Sequence, residues 1–201
     1  MAYSLPIETD RLTIRRYLET DYDDLLKLQS DEDVTRFLLY ESKTPEQVRE
    51  SLAGRLADVP MDADGQALTL AVIVRETGQH AGEVTLFVHS AEHRSGEIGF
   101  VFHPGFHGRG YAAEASVELL RLGFEELDMH RIIGRLDVRN SGSARLLKRL
   151  GLRQEAHFVR NEFLKGEWTD ELVFAMLAEE WQAARKYPTS LLSRHASPGL
   201  S

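Results

Sequence analysis

Between residues 95 and 127 an alternating strand pattern, SGEIGFVFH, runs into a loop with three glycines in six positions, GFHGRG. The chain then turns directly into an alanine-rich helical run, YAAEASVELLRLGFEEL. Ordering glycine costs more backbone entropy than ordering any other residue, so this concentration marks either a tight turn or a backbone that must approach something closely. A strand feeding a glycine turn and a helix commits this part of the chain to packed α and β layers. Unpaired amides at the positive end of such a helix suit a phosphate or pyrophosphate. Gly108 and Gly110 remove side chains where a ligand would approach, Ala112 keeps the next turn thin, and Arg109 adds positive charge. Two familiar nucleotide loops do not apply. A dinucleotide G-x-G-x-x-G belongs to an early βαβ unit, and no G-x-x-x-x-G-K-[ST] run occurs. On these residues alone, phosphate binding and a plain strand-to-helix turn both stand.

The flanking segments extend the pattern. RLTIRRY (11–17) predicts a strand, and DYDDLLKLQSDEDVTRFL (21–38) a helix with acidic residues in its first turn. TPEQVRESLAGRLADV (44–59) predicts a second helix, with Thr44 as N-cap, Pro45 at the first helical position and Gln47 at the third. ALTLAVIVRETGQHAGEVTLFVH (67–89) predicts two strands around a Thr77-Gly78 turn. RIIGRLDV (131–138) predicts a strand, SGSARLLKRLG (141–151) a short helix stopped by glycine, and two late strands follow at 152–163 and 168–177. The tail from Glu179 begins as a helix and continues into PTSLLSRHASPGLS, read as loose. The expected fold is α+β, with a central mixed, mostly antiparallel sheet of about seven strands flanked by helices. Residues 1–178 are expected to form one domain and 179–201 a C-terminal helix and flexible tail.

Composition narrows the function classes. With 201 residues, 42% of them apolar, one full-sized core is the default. There is no cysteine, which excludes disulfides and thiolate chemistry by the protein. The start, MAYSLPIETDRLTIRR, lacks the apolar stretch of a signal peptide, and LTLAVIV is far too short to span a bilayer. A soluble, cytoplasmic protein without a membrane partner is expected. A net charge of −8 argues against nucleic acid, which needs a concentrated basic surface. It tolerates cationic partners such as amines or basic peptides.

HGRGYA resembles the acyl-CoA pyrophosphate loop of the GNAT N-acetyltransferase superfamily, written Q/R-x-x-G-x-G/A. His107 stands at its first position in place of Gln or Arg, Gly110 at the fourth and Ala112 at the sixth. HRIIGRLDVRNSGSARLLKRLGL is similar to the family's next strand and its N-x-x-S…L-G-F helix, with Leu152 replacing the aromatic. IETDRLTIRRY and SGEIGFVFHPGFHGRGYAAEA are similar to the branch that acetylates ribosomal-protein N-termini, the RimJ/RimL type. The resemblance runs from residue 7 to 178 with the elements in order. It implies a GNAT fold and transfer of acetyl from acetyl-CoA to a primary amine. A protein or peptide N-terminal α-amine is the implied acceptor. A small amine such as an aminoglycoside or polyamine is the alternative, and a non-catalytic acyl-CoA sensor a third reading.

Acetyl transfer needs a deprotonated amine, a polarised thioester carbonyl and a proton for the departing thiolate. The resemblance aligns Glu162 with the branch's amine-deprotonating glutamate. It lies on a late strand between Asn161 and Phe163, where an aromatic setting favours a protonatable carboxylate, and a solvated strand glutamate is the plain alternative. Asp170, Glu171 and Glu97 stand as further candidates. Ser143, in the first turn of a helix, can donate to a thiolate or simply cap that helix. No tyrosine stands between Tyr111 and Tyr187 to take that role.

The resemblance puts Asn140 on the pantetheine amides, although it also suits an N-cap. It puts the backbone of Phe100, Val101 and Phe102 beside pantetheine, and His107, Gly108, Arg109, Gly110, Tyr111 and Ala112 around the pyrophosphate. Arg145, with Lys148 and Arg149 on one helix face, could meet the 3′-phosphate or face solvent. No metal is expected, since the pairs His89/His93 and His103/His107 lack H-E-x-x-H context. Trp168 and Trp181 read as packing residues. The tail could pack on a second subunit to make a homodimer.

Overall fold

The computed structural model describes residues 3–186. Its strands are β1 (Ile7–Glu8), β2 (Leu12–Arg15), β3 (Ala67–Val74), β4 (His80–Ser90), β5 (Ser95–Phe102), β6 (Arg131–Asp137), β7 (Arg153–Leu164) and β8 (Glu167–Leu177). They form one sheet in the order β1-β2-β3-β4-β5-β6-β8-β7, in which β5 and β6 are the parallel pair. This is the mixed, mostly antiparallel sheet expected, with eight strands instead of seven. The additional strand, β1, has two residues, too few to show an alternating pattern.

Paired residues in neighbouring strands point their side chains to the same face. One face is apolar throughout, with Leu70 opposite Val84, Leu86 opposite Ile98, Ile132 opposite Met176 and Leu136 opposite Leu172. Helix α4 (Tyr111–Arg121) buries Ala115, Leu119 and Leu120 in this layer. On the other face, α1 (Tyr22–Ser30) and α3 (Pro45–Leu56) cover the β2–β3 end, where Leu25, Val48 and Leu52 cluster with Tyr17 and Ala71. Beyond them that face turns polar. Phe87, at 40% exposure, marks the end of the apolar cover.

A buried ion pair fastens α3 to the sheet. Arg55 grips Glu83 on β4 through Nε at 2.9 Å and Nη2 at 2.7 Å, and Tyr17 donates to the same carboxylate at 2.8 Å. Burial and the Glu83 charge push the Tyr17 phenol up, and they push Tyr40 nearby to about 12. Since Glu83 pairs with Val101, this network stiffens the sheet next to the strand that enters the glycine loop.

Local signals account for the helix ends. Thr44 Oγ1 accepts from Gln47 N–H while Gln47 Oε1 accepts from Thr44 N–H, the reciprocal cap that the sequence predicts. Thr44→Ala is expected to cost about 1 kcal/mol. In a thermal melt this lowers Tm by roughly 2–4 °C. The helix expected over 21–38 is broken: α1 stops at Ser30, and Asp31 caps a separate turn, α2 (Glu32–Thr35), by accepting from the amides of Asp33 and Val34. A mid-segment Asp competes for the backbone and starts a new helix. The helix expected over 111–127 likewise divides. After α4 a wider turn covers Leu122–Glu126, with Leu127 N–H donating to Leu122 O. At Gly123 there, a Cβ would lie 2.6 Å from Ile132 Cδ1, so any larger residue would force that methyl to move.

Helix α5 (Ser141–Arg149) ends at Gly151, whose φ of +93° supplies the left-handed stop. Helix α6 (Ala178–Lys186) docks through Trp181, which is buried, stacks on Phe124 and donates to Glu125 at 2.8 Å. Trp168 departs from the packing reading: it is 60% exposed and meets Phe163 edge-on near the β7–β8 turn. The loose segment read from Pro188 onward lies outside the described residues.

Candidate active site

Strands β5 and β6 pair only through Ser95–Arg131, Gly96–Ile132 and Glu97–Ile133. Beyond that point β5 follows β4 as far as Phe102 and β6 follows β8 as far as Asp137, so a wedge opens in the middle of the sheet. His103 N–H donates to Ala81 O at 3.0 Å. Peptide groups alternate sides along a strand, so those of Phe100 and Phe102 face the wedge while Val101 faces β4. The Phe102 carbonyl confirms this orientation, for it accepts from His107 Nε2–H at 2.9 Å.

The glycine loop closes the mouth of this wedge. Gly108 and Gly110 adopt φ of +75° and +81°, which side-chain-bearing residues rarely take. The first amide of the following helix with a backbone acceptor is that of Glu114, on Gly110 O at 3.1 Å. Among the described residues the amides of Gly108 through Ala113 bond to no protein acceptor, so they form a cradle for an anion at the positive end of α4. A Cβ added at Gly108 would meet nothing, which leaves open space over the loop. These features fit the pyrophosphate of coenzyme A.

His107 ties the loop to Phe102 through its ring, and Arg109 lies over the Phe106 ring at 5.7 Å while its carbonyl accepts from Arg11 at 2.9 Å. Arg11, a residue to which the sequence reading gave no role, reaches the cradle from the start of β2. It pairs with Glu114, lies 4.9 Å over the Tyr111 ring and sits 3.4 Å from where a Gly110 Cβ would be. Ala112 is half-buried beside it.

Because β5 and β6 are parallel, the helices that follow them start at the same end of the sheet, and α5 presents its own N-terminus there. Asn140 caps it, with Oδ1 accepting from Ser143 N–H at 3.1 Å. The Asn140 amide nitrogen and the half-buried Ser143 hydroxyl carry no hydrogen bond among the described residues. Arg145 is exposed and turns to Ser141 Oγ at 3.1 Å.

On the face not covered by α4, five strands bring polar side chains together where β5 and β6 part. Arg135 on β6 bonds Glu97 on β5 at 2.9 Å and reaches Glu171 on β8 at 3.5 Å. His89 on β4 contacts the same Glu97 carboxylate at 2.7 Å, and Asn161 on β7 donates to Glu171 at 2.7 Å. Burial pushes the Glu171 carboxyl up, aided by the charges of Glu162 and Glu97 and opposed by Arg135. Glu162 is half-buried on this face, paired with Thr169, and its carboxylate makes no hydrogen bond among the described residues.

A bulge sets that arrangement. Phe158 pairs with Glu171 and Glu162 with Thr169, so β7 takes four steps where β8 takes two. Arg160, at φ +50°, turns the bulge and donates its amide to Asp170, which also holds His157 at 2.7 Å. Asp170 is thus absorbed by the bulge, and both Asp170 and Glu171 lie within β8. At the hairpin tip Lys165 donates to Thr35 O at 2.8 Å, linking α2 to the outer edge of the same face.

A wedge between parallel strands, an anion cradle at its mouth and a carboxylate-lined floor define an acyl-transfer enzyme of the N-acetyltransferase class. The acetyltransferase (GNAT) domain family matches residues 11–153, and the chain belongs to that family of acetyl-CoA-dependent N-acetyltransferases. It is 33% identical over 175 residues to the uncharacterized N-acetyltransferase YnaD of Bacillus subtilis, covering 87% of this chain and 98% of that protein. A GNAT-family acetyltransferase from Bacillus anthracis superposes with a TM-score of 0.77 at 30% identity, over 87% of this chain and 99% of the other. Spermidine N-acetyltransferase from Vibrio cholerae, solved in complex with CoA and spermine, shares the fold with a TM-score of 0.75 at 20% identity, over 87% and 99% of the two chains.

Proposed function

We propose that the chain acetylates the N-terminal α-amine of a protein or peptide by direct attack within a complex of both substrates. Acetyl-CoA supplies the acetyl thioester. The amides of Gly108 through Ala113, with Arg11 and Arg109 beside them, hold its pyrophosphate, and the peptide groups of Phe100 and Phe102 and the Asn140 amide receive pantetheine. Glu162 takes the proton of the acceptor ammonium, directly or through water, and the freed amine attacks the thioester carbonyl. As the C–S bond breaks, the excess proton on that nitrogen passes to the departing thiolate by way of the Ser143 hydroxyl, which hydrogen-bonds the sulfur. The observation that carries this reading is the contrast among the carboxylates. Glu97 and Glu171 are occupied by Arg135, His89 and Asn161, whereas the Glu162 carboxylate takes no hydrogen bond among the described residues. The N-terminal acceptor rests on the RimJ/RimL-like motifs of the sequence. A small polyamine is the second reading, for which the acidic floor speaks; the fold shared with the spermidine enzyme is compatible with it.

Thiol release from acetyl-CoA, measured over a panel of N-terminal peptides, spermidine and an aminoglycoside, separates these readings. The expected result is kcat/KM at least tenfold higher for a peptide than for either small amine. Preference for spermidine overturns the N-terminal assignment, and tight acetyl-CoA binding without turnover on any acceptor would make the protein a sensor.

A further inference from the structure

Glu171 is 7% exposed, and neither the proposed proton transfer nor the cofactor cradle uses it. A carboxylate so enclosed must be held, and two groups hold it: Asn161 Nδ2 at 2.7 Å, from the bulged stretch of β7, and Arg135 at 3.5 Å, from the strand lining the wedge. Asn161 immediately precedes Glu162, so its bond to Glu171 fixes the backbone from which Glu162 projects. Asp137, the partner of Glu171 on β6, is taken up by Arg139 at 2.7–2.9 Å, and Arg135 on the same strand is shared with Glu97 of β5. His89 of β4 acts on Glu97. From β7, Asn161 and Glu162 face Glu171. One guanidinium thus stands among three carboxylates, and the floor keeps excess negative charge.

We propose that Glu171 is a positioning residue for the acceptor half of the reaction: it anchors the β7 bulge through Asn161 and sets a second negative charge beside Glu162, where the acceptor ammonium docks and loses its proton. The inference rests on Glu162 being the proton acceptor. Its consequences have definite signs. Removing the Glu171 charge weakens the attraction for the ammonium and makes the remaining carboxylate easier to ionise, so the acid limb of kcat/KM moves to lower pH. Removing the Arg135 charge moves that limb the other way. The acceptor's own amine titrates identically in every variant and drops out of the comparison.

The test is the pH profile of kcat/KM for the preferred acceptor in wild type, Glu171→Gln, Glu171→Asp and Arg135→Met, each with a thermal melt. Glu171→Gln is expected to lower the acid limb by about one pH unit. It should also raise the acceptor KM about tenfold with acetyl-CoA KM unchanged. Glu171→Asp, which keeps the charge, should hold the limb in place, and Arg135→Met should raise it. A merely structural residue would give lower Tm and activity with the limb unmoved, and that result overturns the proposal. If Glu171→Gln does not fold, the direction of the Arg135→Met shift decides it. Full activity in Glu162→Gln would refute the base assignment instead, which keeps the two failures distinguishable.

Discussion

Gly110→Val is expected to raise the dissociation constant for acetyl-CoA about 100-fold, equivalent to losing one or two charge-assisted hydrogen bonds. At φ +81° the backbone is in the left-handed region, which a β-branched residue enters only under strain. The new Cβ would also lie 3.4 Å from Arg11 Nη2, in contact with the cation that joins the cradle. Relief of the backbone strain rotates the peptide leading into Tyr111 and turns the amides of Tyr111, Ala112 and Ala113 away from a common focus. Calorimetric titration with acetyl-CoA measures the effect. Gly54→Ala is a suitable control, since nothing lies within 4 Å of its Cβ position and it sits inside α3 with no left-handed φ. A Gly110→Val constant within threefold of wild type would remove the pyrophosphate role from the loop.

What was legible in the sequence is what short-range physics encodes. The Thr44 cap, the Thr77-Gly78 hairpin and the glycine stop at Gly151 each depend on residues a few positions apart, and each stands where the sequence put it. Asn140 shows how a local signal serves two readings: its Oδ1 caps α5 while its amide nitrogen bonds nothing among the described residues. The wedge was not legible, because the end of β5–β6 pairing after Glu97 arises from two strands following different neighbours. The bulge that aims Glu162 was hidden for the same reason, as it exists only relative to β8. Arg11 and Arg135 were missed because an arginine in an alternating strand reads as a solvated position. Arg11 lies 103 positions before its partner Glu114, and Arg135 38 positions after Glu97. Arg11 did leave one trace, since it falls inside the IETDRLTIRRY stretch on which the family resemblance partly rests.

Glu162→Gln is expected to lower kcat by about 100- to 10,000-fold, the range for removal of a general base. The dissociation constant for acetyl-CoA should stay within twofold, because the cradle and the wedge-facing peptide groups lie on the loop and on β5, away from β7. The substitution keeps shape and removes the charge. With no hydrogen bond to the wild-type carboxylate among the described residues, the amide breaks none of them and Tm should be unchanged. Glu97→Gln supplies the counterpart. Its Oε2 is already engaged by His89 at 2.7 Å and by Arg135 at 2.9 Å, partners an acceptor amine would have to displace. It should lower kcat less than tenfold while destabilising the fold, since Arg135 would lose its nearer partner. The two variants therefore separate a carboxylate that reacts from one that organises. If Glu97→Gln abolishes turnover and Glu162→Gln spares it, the proton leaves through β5 rather than β7, and the acceptor approaches the wedge from the His89 side.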